Sequence, residues 1–255
     1  NRLLKDLINK PFDLTESRIG CSFRDLKYKN LQLSSLYTFM MRLAIRVFES
    51  SQDLIKQSTK PVSIVEVGGG IGLFSVAFIK LLHALDKVNY IYHHIELPQT
   101  SQIQYEFLSK HFPEIVFKGN EYIEKTNNHN RIYTHSTDLG LPELGQADIF
   151  VNVMSICEMS EEYATTYINY FNKLAVPGSV LGFVGSYGMS SNSLYDVSEY
   201  PFSAKWKVDS ISLESPIESL QEDTSILLTL QYGSTNSSLI KRQRFIRDFQ
   251  ASIYS

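Results

Sequence analysis

The sequence predicts an α/β fold built on a doubly wound, mostly parallel sheet, and three observations carry that prediction. Short β-branched runs alternate with segments patterned at helical spacing, the rhythm of strand–helix–strand units. The first clear strand ends in three consecutive glycines and passes directly into an apolar helix, "VEVGGGIGLFS", Val65 to Ser75. At 255 residues, 43% of them hydrophobic, the chain can bury a core on both faces of such a sheet.

Taken in order, residues 1–30 are mixed and polar and are expected to wrap the surface. From Ser35 to Gln57, Leu36, Phe39, Met40, Leu43, Val47 and Leu54 recur at helical spacing, which predicts one or two helices. The chain therefore divides into an N-terminal helical and wrapping segment, 1–58, and a domain over 59–255. After Pro61, "VSIVEV" has the β-branched composition of a buried parallel strand. "GLFSVAFIKLLHALD" is apolar almost all round and fits a helix packed on a sheet. "VNYIYHHIEL" is a second strand stopped by Pro98, and Thr100 can cap the helix that runs to about His111. Beyond Pro113 the pattern weakens: one strand is expected at Arg131–His135, beside an Asn-rich loop that argues against regular structure. The alternation then resumes with the strand "DIFVNVMS", the helix "EMSEEYATTYINYFNKLA", a turn at Pro177-Gly178 and the strand "SVLGFVGSYG". Two β-like runs, Lys205–Leu213 and Ser225–Tyr232, allow antiparallel strands at the end. The loop "SYGMSSNSLYDVSEY" suits an acceptor pocket, and the basic run "KRQRFIRD" is a solvated face of a terminal helix.

Composition narrows the function. A formal charge of −3 gives no overall pull toward nucleic acid or an anionic membrane surface, so neither is an expected partner. Two cysteines, Cys21 and Cys157, make neither a disulfide framework nor a zinc set. No apolar run is long enough to span a bilayer, and the opening residues lack a signal-peptide pattern. The expectation is a cytoplasmic enzyme.

The glycine loop selects among ligands. A P-loop needs Lys-Ser/Thr after its last glycine, whereas Gly72 is followed by Leu-Phe-Ser. The dinucleotide fingerprint after Gly68 and Gly70 would need a third glycine where Leu73 stands. The pattern present is Glu66-x-Gly68-x-Gly70-x-Gly72, with no Arg or Lys between Glu66 and Phe78. A carboxylate there would repel a phosphate and suits a ligand with a positive centre and hydroxyls, such as S-adenosylmethionine. Loop N–H groups and the helix N-terminus can still serve that ligand's carboxylate. Glu96 ends the second strand, where an acceptor-only side chain can take both hydroxyl protons of a ribose. His93 and His94 are adjacent on a strand and face opposite sides, so they do not form a metal site.

"VEVGGGIG", followed by "IELPQT" and "VNVMSICEMSEE", resembles the class I S-adenosylmethionine-dependent methyltransferases, and more closely the sugar O-methyltransferase family with its "EIGGGYG", "DLPET" and "NxxSxxEM" patterns. The similarity runs from Ile19 to Gly185, with its clearest core at 63–112 and 147–175. Glu96 stands for Asp, Ile71 for an aromatic residue and Cys21 for Asn. The resemblance implies a Rossmann-like sheet in the order 3-2-1-4-5-7-6, strand 7 antiparallel, with S-adenosylmethionine over the carboxyl ends of the strands. It assigns Glu66, Gly68, Gly69, Gly70, Gly72, Glu96 and Leu97 to the cofactor, and at the same edge Asn152, under the adenosine, and Ser155. The spacing of Asp138 to Asp148 is similar to small-molecule O-methyltransferases and makes Asp138 the adenine partner. Glu158 lies where related enzymes carry a histidine base and is the candidate catalytic residue, acting on a sugar-like hydroxyl. Another small-molecule or peptide acceptor, an NAD(P)-dependent oxidoreductase and a non-catalytic binding module are the alternatives.

Overall fold

β-branched and aromatic runs become strands whose alternate side chains feed two separate cores. The computed structural model describes residues 25–28, 31–84, 89–119, 130–186, 200–214 and 225–233. A small antiparallel pair, β1 (Asp25–Tyr28) and β2 (Leu31–Ser34), precedes helix α1 (Ser35–Gln57). Then follow β3 (Val62–Val67), α2 (Leu73–Ala84), β4 (Tyr90–Glu96), α3 (Pro98–His111), β5 (Val116–Lys118) and β6 (Arg131–Ser136). β7 (Ala147–Val153), α4 (Glu161–Leu174), β8 (Ala175–Ser186), β9 (Trp206–Glu214) and β10 (Ser225–Tyr232) complete the described chain.

The large sheet has eight strands in the order β5-β6-β4-β3-β7-β8-β10-β9. Without the short edge strand β5, and counting from β3, that is the order 3-2-1-4-5-7-6. β3 through β8 pair in parallel, and β10 runs antiparallel between β8 and β9. The expected doubly wound sheet is present.

Strand parity sets the layers. Ile64, Tyr90, Tyr92 and Ile132 face a core shared with α1, α2 and α3. Val65, Val67, Ile95 and Phe150 face a second core with α4, where Ala164, Ile168 and Phe171 recur at helical spacing against Leu181 and Trp206. α1 is one helix whose buried stripe of Tyr37, Leu43, Ala44, Val47 and Phe48 joins the first core. No described helix is long and apolar enough to cross a membrane.

Four local expectations change. Thr100 does not cap α3, because Pro98 occupies its first turn and Leu97 is the N-cap. Proline is suited to that place, where its missing N–H would have had no partner. Pro177-Gly178 is not a turn between elements: β8 begins directly at Ala175 and passes through Gly178 at φ 93°, beside a register shift against β7. β5 adds an edge strand that three residues of pattern do not announce, and the β1–β2 pair was likewise not expected. The terminal helix and most of the loop after β8 lie outside the described residues, as do Cys21 and His129.

Candidate active-site cleft

Parallel pairing brings the carboxyl ends of β3, β4, β6 and β7 to one edge, and the glycine loop crosses that edge. The Gly68 N–H donates to the Ile95 carbonyl at 3.0 Å, which pins the loop to the end of β4. Gly68 and Gly70 have φ of 69° and 57°, in the left-handed region that favours glycine. The Gly70 N–H donates to Glu96 Oε1 at 2.7 Å, and the Leu97 N–H to Oε2 at 3.0 Å. Gln104 Nε2 donates to the Gly70 carbonyl at 2.9 Å from α3. Burial pushes the Glu96 carboxyl up, while those two backbone N–H groups pull it back. Each oxygen keeps a further acceptor position.

Glu96 lines a cleft of about 480 Å³. Val67, Gly68 and Leu97 border it on the strand side, Thr137, Asp138, Gly140 and Leu141 after β6, Met159 just before α4, and Tyr163, Thr166 and Tyr167 from α4. The described lining residues include two acids and no Lys, Arg or His. Asp138 sits in the single turn Thr137–Leu139, and its Oδ1 accepts a hydrogen bond from Ser136 Oγ. Tyr167 is buried, and its hydroxyl is pushed up by that burial and then by the Glu96 charge. Leu97, Leu139 and Tyr163 are 61%, 73% and 63% exposed, large apolar side chains left open around this edge.

Of the sequence candidates, Gly68, Glu96, Leu97 and Asp138 therefore meet in one cleft. Asn152 does not border it. Its buried Nδ2 donates to the Val67 carbonyl at 2.8 Å and to Ser155 Oγ at 2.6 Å, and its Oδ1 accepts from the Ile156 N–H at 3.2 Å. Ser155 also turns inward, its Oγ donating to the Val67 carbonyl at 3.2 Å. A Cβ on Gly68 would fall 1.8 Å from that Oγ, so the serine occupies the space the glycine leaves. Met154, at φ 64°, makes the reversal into Ser155 while its N–H donates to the Val184 carbonyl at 2.9 Å. Such strain, of order 1–3 kcal/mol, persists only where surrounding bonds hold it. Asn152 and Ser155 thus brace the loop from behind.

Glu66 is also set back from the cleft. It points beneath the loop, fully buried, and does not border the cleft. Its Oε2 accepts from the Tyr92 hydroxyl at 2.8 Å, and burial pushes its carboxyl up to about 8. Gly69 and Gly72 also lie off the cleft lining, and Gly72 opens α2 by accepting from the Val76 N–H at 3.0 Å. Glu158 is exposed in the single turn Ile156–Glu158 at the end of β7, outside the cleft lining. His93 and His94 do face opposite ways: His94 packs on Tyr92, and His93 Nδ1 lies 3.0 Å from His135 Nε2.

Sequence reasoning missed the α4 wall. Tyr163 and Tyr167 are four residues apart and share one face of α4, while Met159 joins them from the extended residues just before the helix. That spacing was readable, but it is shared with ordinary core packing.

No protein-family model matches the chain, and no curated protein matches it. Solved structures do match. The Burkholderia thailandensis 1,6-didemethyltoxoflavin N1-methyltransferase, with bound 1,6-didemethyltoxoflavin and S-adenosylhomocysteine, is 9% identical with a TM-score of 0.52, over 78% of this chain and 80% of that one. A Listeria monocytogenes protein assigned to the class I S-adenosylmethionine-dependent methyltransferases is 13% identical with a TM-score of 0.51, over 78% of this chain and 61% of that one. The strand order and these likenesses define the fold as the Rossmann-like class I methyltransferase fold.

Proposed function

We propose that the protein is an S-adenosylmethionine-dependent methyltransferase, with the cofactor in the cleft beside Glu96. The observation that carries this reading is a carboxylate gripping the glycine loop, in a cleft whose described lining holds two acids and no cation. Glu96 would take ribose hydroxyls in either ligand; against a dinucleotide stand Leu73, where its fingerprint needs a third glycine, and a described lining that offers a pyrophosphate no cation, a lack that a ligand with a cationic sulfur does not feel. Glu96 accepts the ribose hydroxyls, Asp138 the adenine amino group, and Leu97 and Tyr163 supply apolar contact to the base. When bound, the cofactor supplies a methyl group made electrophilic by the positive sulfur.

The chain's own task is then positional: holding an acceptor oxygen in line with that methyl group and keeping water out. Glu158, on the turn after β7, accepts the acceptor's proton or orients its hydroxyl. We assign a sugar or glycan-precursor hydroxyl as the acceptor, supported by the resemblance across Asn152, Ser155 and Glu158. Residues 1–58 would act as an accessory segment to the domain at 59–255, with α1 its docked part.

Methyl transfer from labelled cofactor to a panel of sugars, phenols and peptides tests the acceptor; labelling of phenols or peptides alone would refute the sugar. Glu158→Gln should keep the affinity for S-adenosylhomocysteine and lower turnover about a hundredfold. Full turnover in that variant would remove Glu158 from the reaction.

A further inference from the structure

We propose that Glu66 senses the charge of the bound cofactor through the glycine loop, ionising when the methyl donor's positive sulfur is present and keeping its proton over the neutral sulfur of the demethylated product. The inference rests on the cofactor reading above and deepens it, because it makes Glu66 a positioning residue that separates donor from product.

The geometry is unusual for an acid. Glu66 is fully buried, and its Oε1 has no hydrogen-bond partner. Oε2 accepts from Tyr92, and His94 Nδ1 lies 3.3 Å away without hydrogen-bond alignment. Both His94 ring nitrogens are buried and unpartnered. The lid over this pocket is backbone: a Cβ on Gly69 would come within 2.7 Å of the Glu66 carboxyl. A side chain there would press on the carboxyl, so the acid lies directly under the loop that borders the cleft.

The groups facing Glu66 leave it undecided. β4 offers Tyr92, the neutral His94 and, at its end, the like charge of Glu96. β7 offers Val151 in register, and the loop offers backbone. Burial holds His94 down to about 3, with His135 and His93 beyond it adding to the effect. Among the described residues no cation beside the acid fixes its ionisation, and a partner that arrives and leaves with catalysis can do so. A positive sulfur above the loop favours the carboxylate: the carboxyl O–H bond breaks and the proton passes to buffer. Once the methyl group has moved, the sulfur is neutral, the proton returns, and the product loses the attraction its precursor enjoyed. Charge attraction across a low-dielectric layer is stronger than in water, which makes a buried acid the suitable sensor.

The test is calorimetry of the wild-type protein with S-adenosylmethionine and S-adenosylhomocysteine, in buffers of different ionisation enthalpy. The donor should release more protons than the product near neutral pH. Its affinity should rise about tenfold from about pH 6.5 to about pH 8.5, while the product's stays level. Glu66→Gln, which still accepts from Tyr92, should make the two pH profiles parallel and so removes any titration of the ligands themselves. Infrared difference spectra need no variant: the protonated-carboxyl stretch should disappear with the donor and persist with the product. Equal proton release by both ligands, or an unchanged difference in Glu66→Gln, overturns the inference and leaves the cofactor reading standing. Failure of both ligands to bind overturns the cofactor reading, and this inference with it.

Discussion

Glu66 and Glu96 occupy neighbouring parallel strands, share a sheet face and flank the same loop, yet they live in opposite environments. Glu66 pairs in register with His94, two residues before Glu96, so the two acids differ in depth by roughly 6.6 Å along the strand. That step separates a pocket beneath the loop from the cleft above it. Above, two backbone N–H groups grip the carboxylate and it borders open space. Below, one tyrosine hydroxyl is the single hydrogen bond and an oxygen is left unpartnered. An acid at the last residue of its strand can reach the cleft, whereas one a level deeper becomes part of the core.

Breaking the upper region should have the largest effect. Glu96→Ala removes the charge-assisted bond from the loop at Gly70, the one from the Leu97 N–H, and the proposed ribose acceptor, and should weaken S-adenosylhomocysteine by about a hundredfold or more in calorimetry. The brace behind the loop comes next. Asn152→Ala leaves the Val67 carbonyl and Ile156 N–H without this partner and should cost about 2–3 kcal/mol, seen as a melting temperature lowered by about 4–12 °C.

The lower region makes a pH prediction. Unfolded, Glu66 loses its proton near 4.5; folded, it keeps it to about 8, so the folded state binds more protons between those values. Its contribution to stability is therefore full below 4.5 and declines as pH rises through 8. His83, His93, His94 and His135, all held below their ordinary value of 6.5 by burial, work in the opposite sense: each still binds protons in the unfolded state near pH 6.5 and so adds stability as pH rises toward 8. The share of Glu66 is therefore read against Glu66→Gln in denaturant titrations: relative to that variant, the wild type should lose about 1–2 kcal/mol from about pH 6.5 to about pH 8. A difference that does not change over that range would mean that Glu66 is ionised in the folded state. Smallest of all, Tyr167→Phe keeps the ring on α4 and should change S-adenosylhomocysteine affinity by about threefold or less.

The sheet was legible because its strands and helices are strongly periodic, and the strand order followed from the resemblance around the loop. Pro98 and Gly178 were misjudged locally, since proline at a helix start and glycine inside a bulged strand look like turn signals until tertiary pairing is known. In the cleft, Glu96 and Asp138 were readable from position at strand ends. Asn152, Ser155 and Glu66 were assigned to the ligand because spacing locates a residue along the chain but not which side of a loop its polar atoms choose. The α4 tyrosines escaped notice for the converse reason, their cleft-facing spacing being indistinguishable from core packing.

The central claim is that the cleft above the glycine loop takes an adenosyl-sulfur ligand and not a dinucleotide. Calorimetric titration of the wild-type protein and Glu96→Ala with S-adenosylhomocysteine, and separately with NAD, tests it most directly. The account predicts saturable binding of S-adenosylhomocysteine that is lost in a still-folded Glu96→Ala, and no binding of NAD. Tighter binding of NAD, or S-adenosylhomocysteine affinity indifferent to Glu96, would contradict it.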